Sequence, residues 1–131
     1  MNTQSVRKFS LAAFTLLFFP LLSFAQVEGE YASDYKGIRR VRVTKSGDVY
    51  HVRWDLNDGS HWVGVGLLNK TGDVFTVASV VSRGSDIEYA NGSLHISVYA
   101  IERDAGRIKR LVSEAARYGD RITHFETWAP R

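Results

Sequence analysis

The residues able to do chemistry are few, and their spacing limits what they can do. The histidines are His51, His61, His95 and His124. No two stand in HxH, HxxxH or HExxH order, so no metal site or other cofactor is expected. His51 and Asp55 share a strand face four residues apart. On extended backbone that is roughly 13 Å, too far for a hydrogen bond. Ser79, Ser82, Ser85, Ser93, Ser97 and Ser113 lie outside G-x-S-x-G and S-x-x-K patterns, so they read as ordinary turn and strand serines. Glu102 and Glu126 are the candidate carboxylate pair. Glycoside hydrolysis needs two carboxyls roughly 5–10 Å apart in a cleft, and spacing alone does not supply that. There is no cysteine, which removes disulfides, thiol catalysis and thiolate zinc. No catalytic residue is assigned, and a non-enzymatic protein is expected.

Binding chemistry is better supplied. Trp62 shares a strand face with Gly64 and Gly66, where small residues leave room beside a large flat ring. A groove lined by Trp62, Tyr99 and His95 would suit a sugar ring or another small apolar ligand. Arg39, Arg40, Arg42 and Lys45 form one basic run, and Arg103, Arg107, Lys109 and Arg110 another. Arg40 and Arg42 are the candidates for meeting an acidic partner. The bland alternative for that run is a solvated strand whose charges block sheet-to-sheet aggregation.

The elements that would position these residues read as strands. Turn signals recur at short intervals: Ser46-Gly47-Asp48, Asn57-Asp58-Gly59, Thr71-Gly72-Asp73, Arg83-Gly84-Ser85-Asp86, Asn91-Gly92, Asp104-Ala105-Gly106 and Tyr118-Gly119-Asp120. Gly, Asn and Asp supply the positive φ that tight hairpins need. Between them the chain alternates. Val49 to Leu56 puts Tyr50, Val52, Trp54 and Leu56 on one face. Ile38 to Thr44 sets Val41 and Val43 against Arg40 and Arg42. His61 to Leu68 sets Val63, Val65 and Leu67 against Trp62, Gly64, Gly66 and Leu68. Val74 to Val81 is apolar on both faces and reads as a central strand. Leu94 to Glu102 sets Leu94, Ile96, Val98 and Ala100 against His95, Ser97, Tyr99 and Ile101, so one of those faces is not plain core. Gly29-Glu30-Tyr31 opens the series, and Arg121 to Trp128 closes it.

Residues 107–118 carry two readings. Ile108, Leu111, Val112, Ala115 and Tyr118 fall at helical spacing, with Asp104 as a start cap and Gly119 as an end cap. As a strand, only Arg107 to Val112 fits.

The start of the 131-residue chain reads as a leader. Arg7 and Lys8 precede the apolar run Phe9 to Leu22, and Ser23-Phe24-Ala25 offers small residues for cleavage after Ala25. The run is shorter than the ~20 residues of a spanning helix, so no stable membrane span is expected. Residues 26–131 then form one small domain, periplasmic or secreted. The formal charge of +3 counts Arg7 and Lys8, and without them the domain is close to neutral. Nucleic acid is therefore not an expected partner.

Several short motifs fall in a familiar order. They are Gly29-Glu30-Tyr31, Gly47-Asp48-Val49-Tyr50-His51-Val52-Arg53-Trp54, Gly64-Val65-Gly66-Leu67, Val98-Tyr99-Ala100-Ile101 and Glu126-Thr127. In this order the chain resembles a family of small secreted bacterial β domains, mostly uncharacterised, some with a fibronectin-binding label. It departs from that pattern after Gly106, at Arg107-Ile108-Lys109-Arg110. The chain is also distantly similar to avidin- and lipocalin-like barrels, from which no binding residue carries over. The resemblance implies about six to eight antiparallel strands.

The expectation is thus an all-β fold, an antiparallel up-and-down barrel or sandwich, with a short helix near 107–118 as the open alternative. Its expected role is an exported binding module. The partner would be a small ligand or an extracellular or periplasmic protein, met through the aromatic and glycine face. The alternative is an envelope structural or inhibitor protein acting through the basic face.

Overall fold

Alternation of large apolar and small or charged residues makes this chain curl into a closed sheet. A computed structural model describes residues 26–80, 94–118, 121–122 and 126–131. The expected leader and His124 lie outside the described residues. So do the turn signals at 83–86, 91–92 and Gly119-Asp120. The strands are β1 (Gly29–Ser33), β2 (Ile38–Ser46), β3 (Val49–Leu56), β4 (His61–Leu68), β5 (Val74–Val80), β6 (Leu94–Asp104), β7 (Arg107–Tyr118), β8 (Arg121–Ile122) and β9 (Thr127–Pro130).

Each strand from β1 to β7 pairs antiparallel with the next. The segments β8 and β9 both pair with β7 in one register, as Arg117↔Ile122 and Val112↔Thr127. They occupy a single strand position. β9 then pairs with β1, which closes an eight-stranded up-and-down barrel. Closure removes the exposed sheet edges that an open sheet would present.

Turn chemistry sets the hairpins. Gly47, Gly59 and Gly72 adopt φ of 61°, 86° and 74° at three of the expected turns. At the β6–β7 turn Ala105 and Gly106 both have positive φ, which matches the twist of a tight hairpin. The Asn69 side chain fastens the β4–β5 turn: its Oδ1 accepts from the backbone N–H of Asp73 and Val74, each over 3.0 Å.

Residues 107–118 are strand, and no helix occurs among the described residues. The helical spacing of Ile108, Leu111 and Val112 is overridden by pairing. β6 and β7 are the longest strands, and they pair from Asp104↔Arg107 to His95↔Tyr118. Two register irregularities, at Val98/Tyr99 and Glu102/Arg103, let this hairpin bend around the barrel. Those bulges also disturb strict alternation, which explains why a period of two is hard to read there.

The core fills the barrel interior. Trp128 sits at its centre, fully buried. Its ring centroid lies 4.3 Å from that of Tyr99, 5.7 Å from Trp54 and 5.9 Å from Tyr31. Such aromatic contacts each add about 1 kcal/mol beyond their burial. Tyr50 meets Phe75 edge-on at 5.5 Å. Val27, fully buried beside β1, accepts a 2.7 Å hydrogen bond from the Tyr31 hydroxyl.

Candidate functional site

Strand alternation sends two chemistries into the barrel. Toward one end the inward residues are apolar: Val43, Tyr50, Phe75, Ile101 and Leu111. Toward the other they are polar. Ser79 of β5 pairs with His95 of β6, Tyr99 pairs with Ser113 of β7, and the Ser113 N–H donates to the Glu126 carbonyl over 2.8 Å. Ser79, His95, Ser97, Ser113 and Glu126 are all buried. Four strand positions on β5, β6 and β7 and the residue before β9 thus converge on one polar region.

Glu126 is its focus, with only 5% of its surface exposed. The Tyr99 hydroxyl donates to Glu126 Oε2 over 2.8 Å. Ser33 Oγ donates to Oε1 over 2.6 Å and accepts from the Tyr35 N–H over 3.1 Å. Burial pushes the Glu126 carboxyl above its usual range, while Ser33, Trp128 and Tyr99 act against that shift by favouring the charge. Among the described residues Trp128 Nε1 completes no hydrogen bond. Burial, reinforced by the charge of Glu126, raises the Tyr99 hydroxyl well above the ordinary tyrosine value. Ser97 extends the region by reaching His95 Nδ1 over 3.4 Å, a long contact. A carboxylate held between two hydroxyls and two aromatic rings can accept from a ligand donor, or donate once protonated.

The expected ligand residues Trp62, Tyr99 and His95 all face into the barrel and are buried. Trp62 pairs across β3–β4 with Trp54, which leads to Trp128. Room beside Trp62 does not come from the glycines. A Cβ at Gly66 would overlap the Phe75 ring, and one at Gly64 would lie 2.8 Å from the Ala78 carbonyl oxygen. The glycines instead let β5 pack closely over β4. The carboxylates Glu102 and Glu126 are not brought together: Glu102 pairs with Arg110 on the outside.

Arg40 and Arg42 lie on the outer face around Asp55. Arg40 grips Asp55 Oδ2 through Nε at 3.0 Å and Nη2 at 2.8 Å, and Arg53 Nε meets Oδ1 at 2.7 Å. Arg42 Nε is 3.3 Å from Glu30 and its Nη2 3.9 Å from Asp55. Asp55 is therefore buried, 4% exposed, on the outside of the barrel. Its carboxyl is held down to about 2, first by the Arg53 hydrogen bond and, against the cost of burial, by Arg40. Beside this cluster Arg42, Thr44, His51, Arg53 and Val63 border a groove of about 310 Å³. Among the described residues no group of three potential metal ligands occurs. No helix among them is long and apolar enough to cross a membrane.

Sequence reading missed the centre of this site. Glu126 drew notice only as half of a carboxylate pair, and Ser97 and Ser113 as ordinary strand serines. The available signal was parity: His95, Ser97 and Tyr99 alternate with Leu94, Ile96 and Val98, and the polar set is the one that faces inward.

Fold and site together define a closed eight-stranded antiparallel barrel with an aromatic lumen that is polar toward one end. No family model, no curated protein and no solved structure matches the chain.

Proposed function

We propose that this chain is an exported binding protein, not an enzyme, that takes a small ligand into the polar end of its barrel. One observation carries the reading: the buried Glu126 carboxylate, bridged by Tyr99 and Ser33 beside the Trp54–Trp128 wall. Burying a carboxylate costs several kcal/mol unless it is well paired, and an apolar residue would serve a purely structural core at least as well. Small-ligand sites combine an apolar wall with a few convergent polar groups, and barrel mouths are a common place for them. The chemistry favours a small ring compound that lays an apolar face on Trp54 and Trp62 and directs an N–H or O–H toward Glu126. Export rests on the leader pattern at residues 1–25.

A screen of sugars, cyclic amides, cyclic ureas and aromatic amines tests it by thermal shift and tryptophan emission. A binder should raise the unfolding midpoint of the wild type and change its emission. Both effects should be lost in Glu126→Gln and Trp62→Phe. A binder unaffected by both substitutions would overturn the lumen site.

The outer groove favours a second reading, recognition of an acidic protein surface through Arg42 and Arg53. Partner binding abolished by Arg42→Glu, with Glu126→Gln harmless, would select it.

A further inference from the structure

The outside of the barrel is chemically uneven. On β2 and β3 the outward residues include Arg40, Arg42, Thr44, His51 and Arg53, as a wet surface requires. On β4, β5 and β6 most of them are apolar, with His61 and Thr76 among the polar exceptions. Val63, Val65, Leu67, Val80, Leu94 and Ile96 are large side chains left 43% to 57% exposed. The register sets them in adjacent rows. Val63, Val80 and Leu94 stand side by side; Val65, Ala78 and Ile96 form the next row; Leu67, Thr76 and Val98 form the third. None of these nine positions carries a charge.

We propose that this face is the contact surface of a symmetric homodimer, a second copy of the chain packing sheet against sheet. Area supports that occupant. The six large side chains expose on the order of 400–500 Å² of apolar surface, the size of the largest patch on a typical monomer, which is often functional. A standard interface takes about 800 Å² from each partner, of which roughly 450–520 Å² is apolar. The patch therefore supplies the apolar share of one such interface. Its lack of charge lets it face itself without repulsion, which a two-fold interface demands. Flat strand faces carrying Val, Leu and Ile pack at about 10 Å, as in a sandwich.

A lipid surface fits less well. The patch has no Trp, Tyr or Phe to sit at headgroup level. The inference stands apart from the ligand site, because these side chains point away from the lumen.

Light scattering coupled to size exclusion tests it. At roughly 100 μM, above the micromolar Kd of weak interfaces of this size, the wild type should elute with the mass of two chains. Val65→Lys and Ile96→Lys, each tested alone, should return the mass of one chain with an unchanged far-ultraviolet spectrum. Lys109→Glu, on β7, should remain a dimer. Three results overturn the proposal. One is a wild type of single-chain mass. Another is a dimer that survives both patch substitutions. The third is a single-chain species that floats with phosphatidylglycerol vesicles, which would assign the face to membrane.

Discussion

The Tyr99 hydroxyl donates to the Glu126 carboxylate over 2.8 Å, and both groups are shut inside the barrel. Tyr99 lies on β6 and Glu126 just before β9, and β7 between them brings the two together through the Tyr99↔Ser113 pair and the Ser113–Glu126 hydrogen bond. The charge of Glu126 raises the cost of ionising Tyr99, while the Tyr99 hydrogen bond favours the Glu126 carboxylate against its burial, so their protonation is linked to folding.

Glu126 sets the first prediction. Its folded-state carboxyl holds its proton above the ordinary value of 4.5. A raised folded value favours the fold below the unfolded value, and that contribution is lost as pH rises through the raised one. Wild-type stability should therefore fall relative to Glu126→Gln from pH 4.5 upward. Urea midpoints measured from about pH 4 to pH 8 would show the two profiles diverging. Parallel profiles would contradict the burial argument.

Asp55 predicts the opposite slope. Its carboxyl is lowered from 3.8 to about 2 by Arg53 and then Arg40. That contribution is present above pH 3.8 and lost as pH falls toward 2. Asp55→Asn should cost about 2 kcal/mol at neutral pH, because charge-assisted hydrogen bonds are broken. The gap to wild type should close as the solution is acidified through that range. A gap that stays constant would mean the arginines do not recognise the charge.

Gly66 predicts a steric coupling. The Phe75 ring occupies the space a Cβ would need, and Phe75 is fully buried. Gly66→Ala should lose about 2 kcal/mol through overpacking. In a Phe75→Leu background the same change should cost less, and a double-mutant cycle reads the difference. Additive losses would show that the ring yields without strain.

Much of the fold is legible in the residues. Tyr50, Val52, Trp54 and Leu56 alternate in the sequence and are buried together on β3. The glycine turns at 47, 59 and 72 fall between strands as expected. Other features depend on partners distant in sequence. The segment 107–118 satisfies a helical pattern locally, yet ten residues of β6 pair with it. Val74 to Val81 reads as apolar on both faces, yet on β5 Thr76, Ala78 and Val80 are exposed while Phe75, Val77 and Ser79 are buried. On β4 and β6 the more apolar face points outward. The site was legible only in part. Trp62, Tyr99 and His95 do share the lumen, but Ser33 and Glu126 are joined across ninety-three positions of chain, a separation no local pattern reveals.

The central claim is that the polar end of the lumen holds a small molecule. Native mass spectrometry of the protein, purified mildly from an exporting host, tests it most directly. The account predicts a reproducible mass excess of a few hundred daltons, the scale of a drug-sized pocket ligand. The excess should disappear on denaturation and be reduced in Glu126→Gln. A bare wild-type mass, with no compound from the screen restoring an excess, would contradict it.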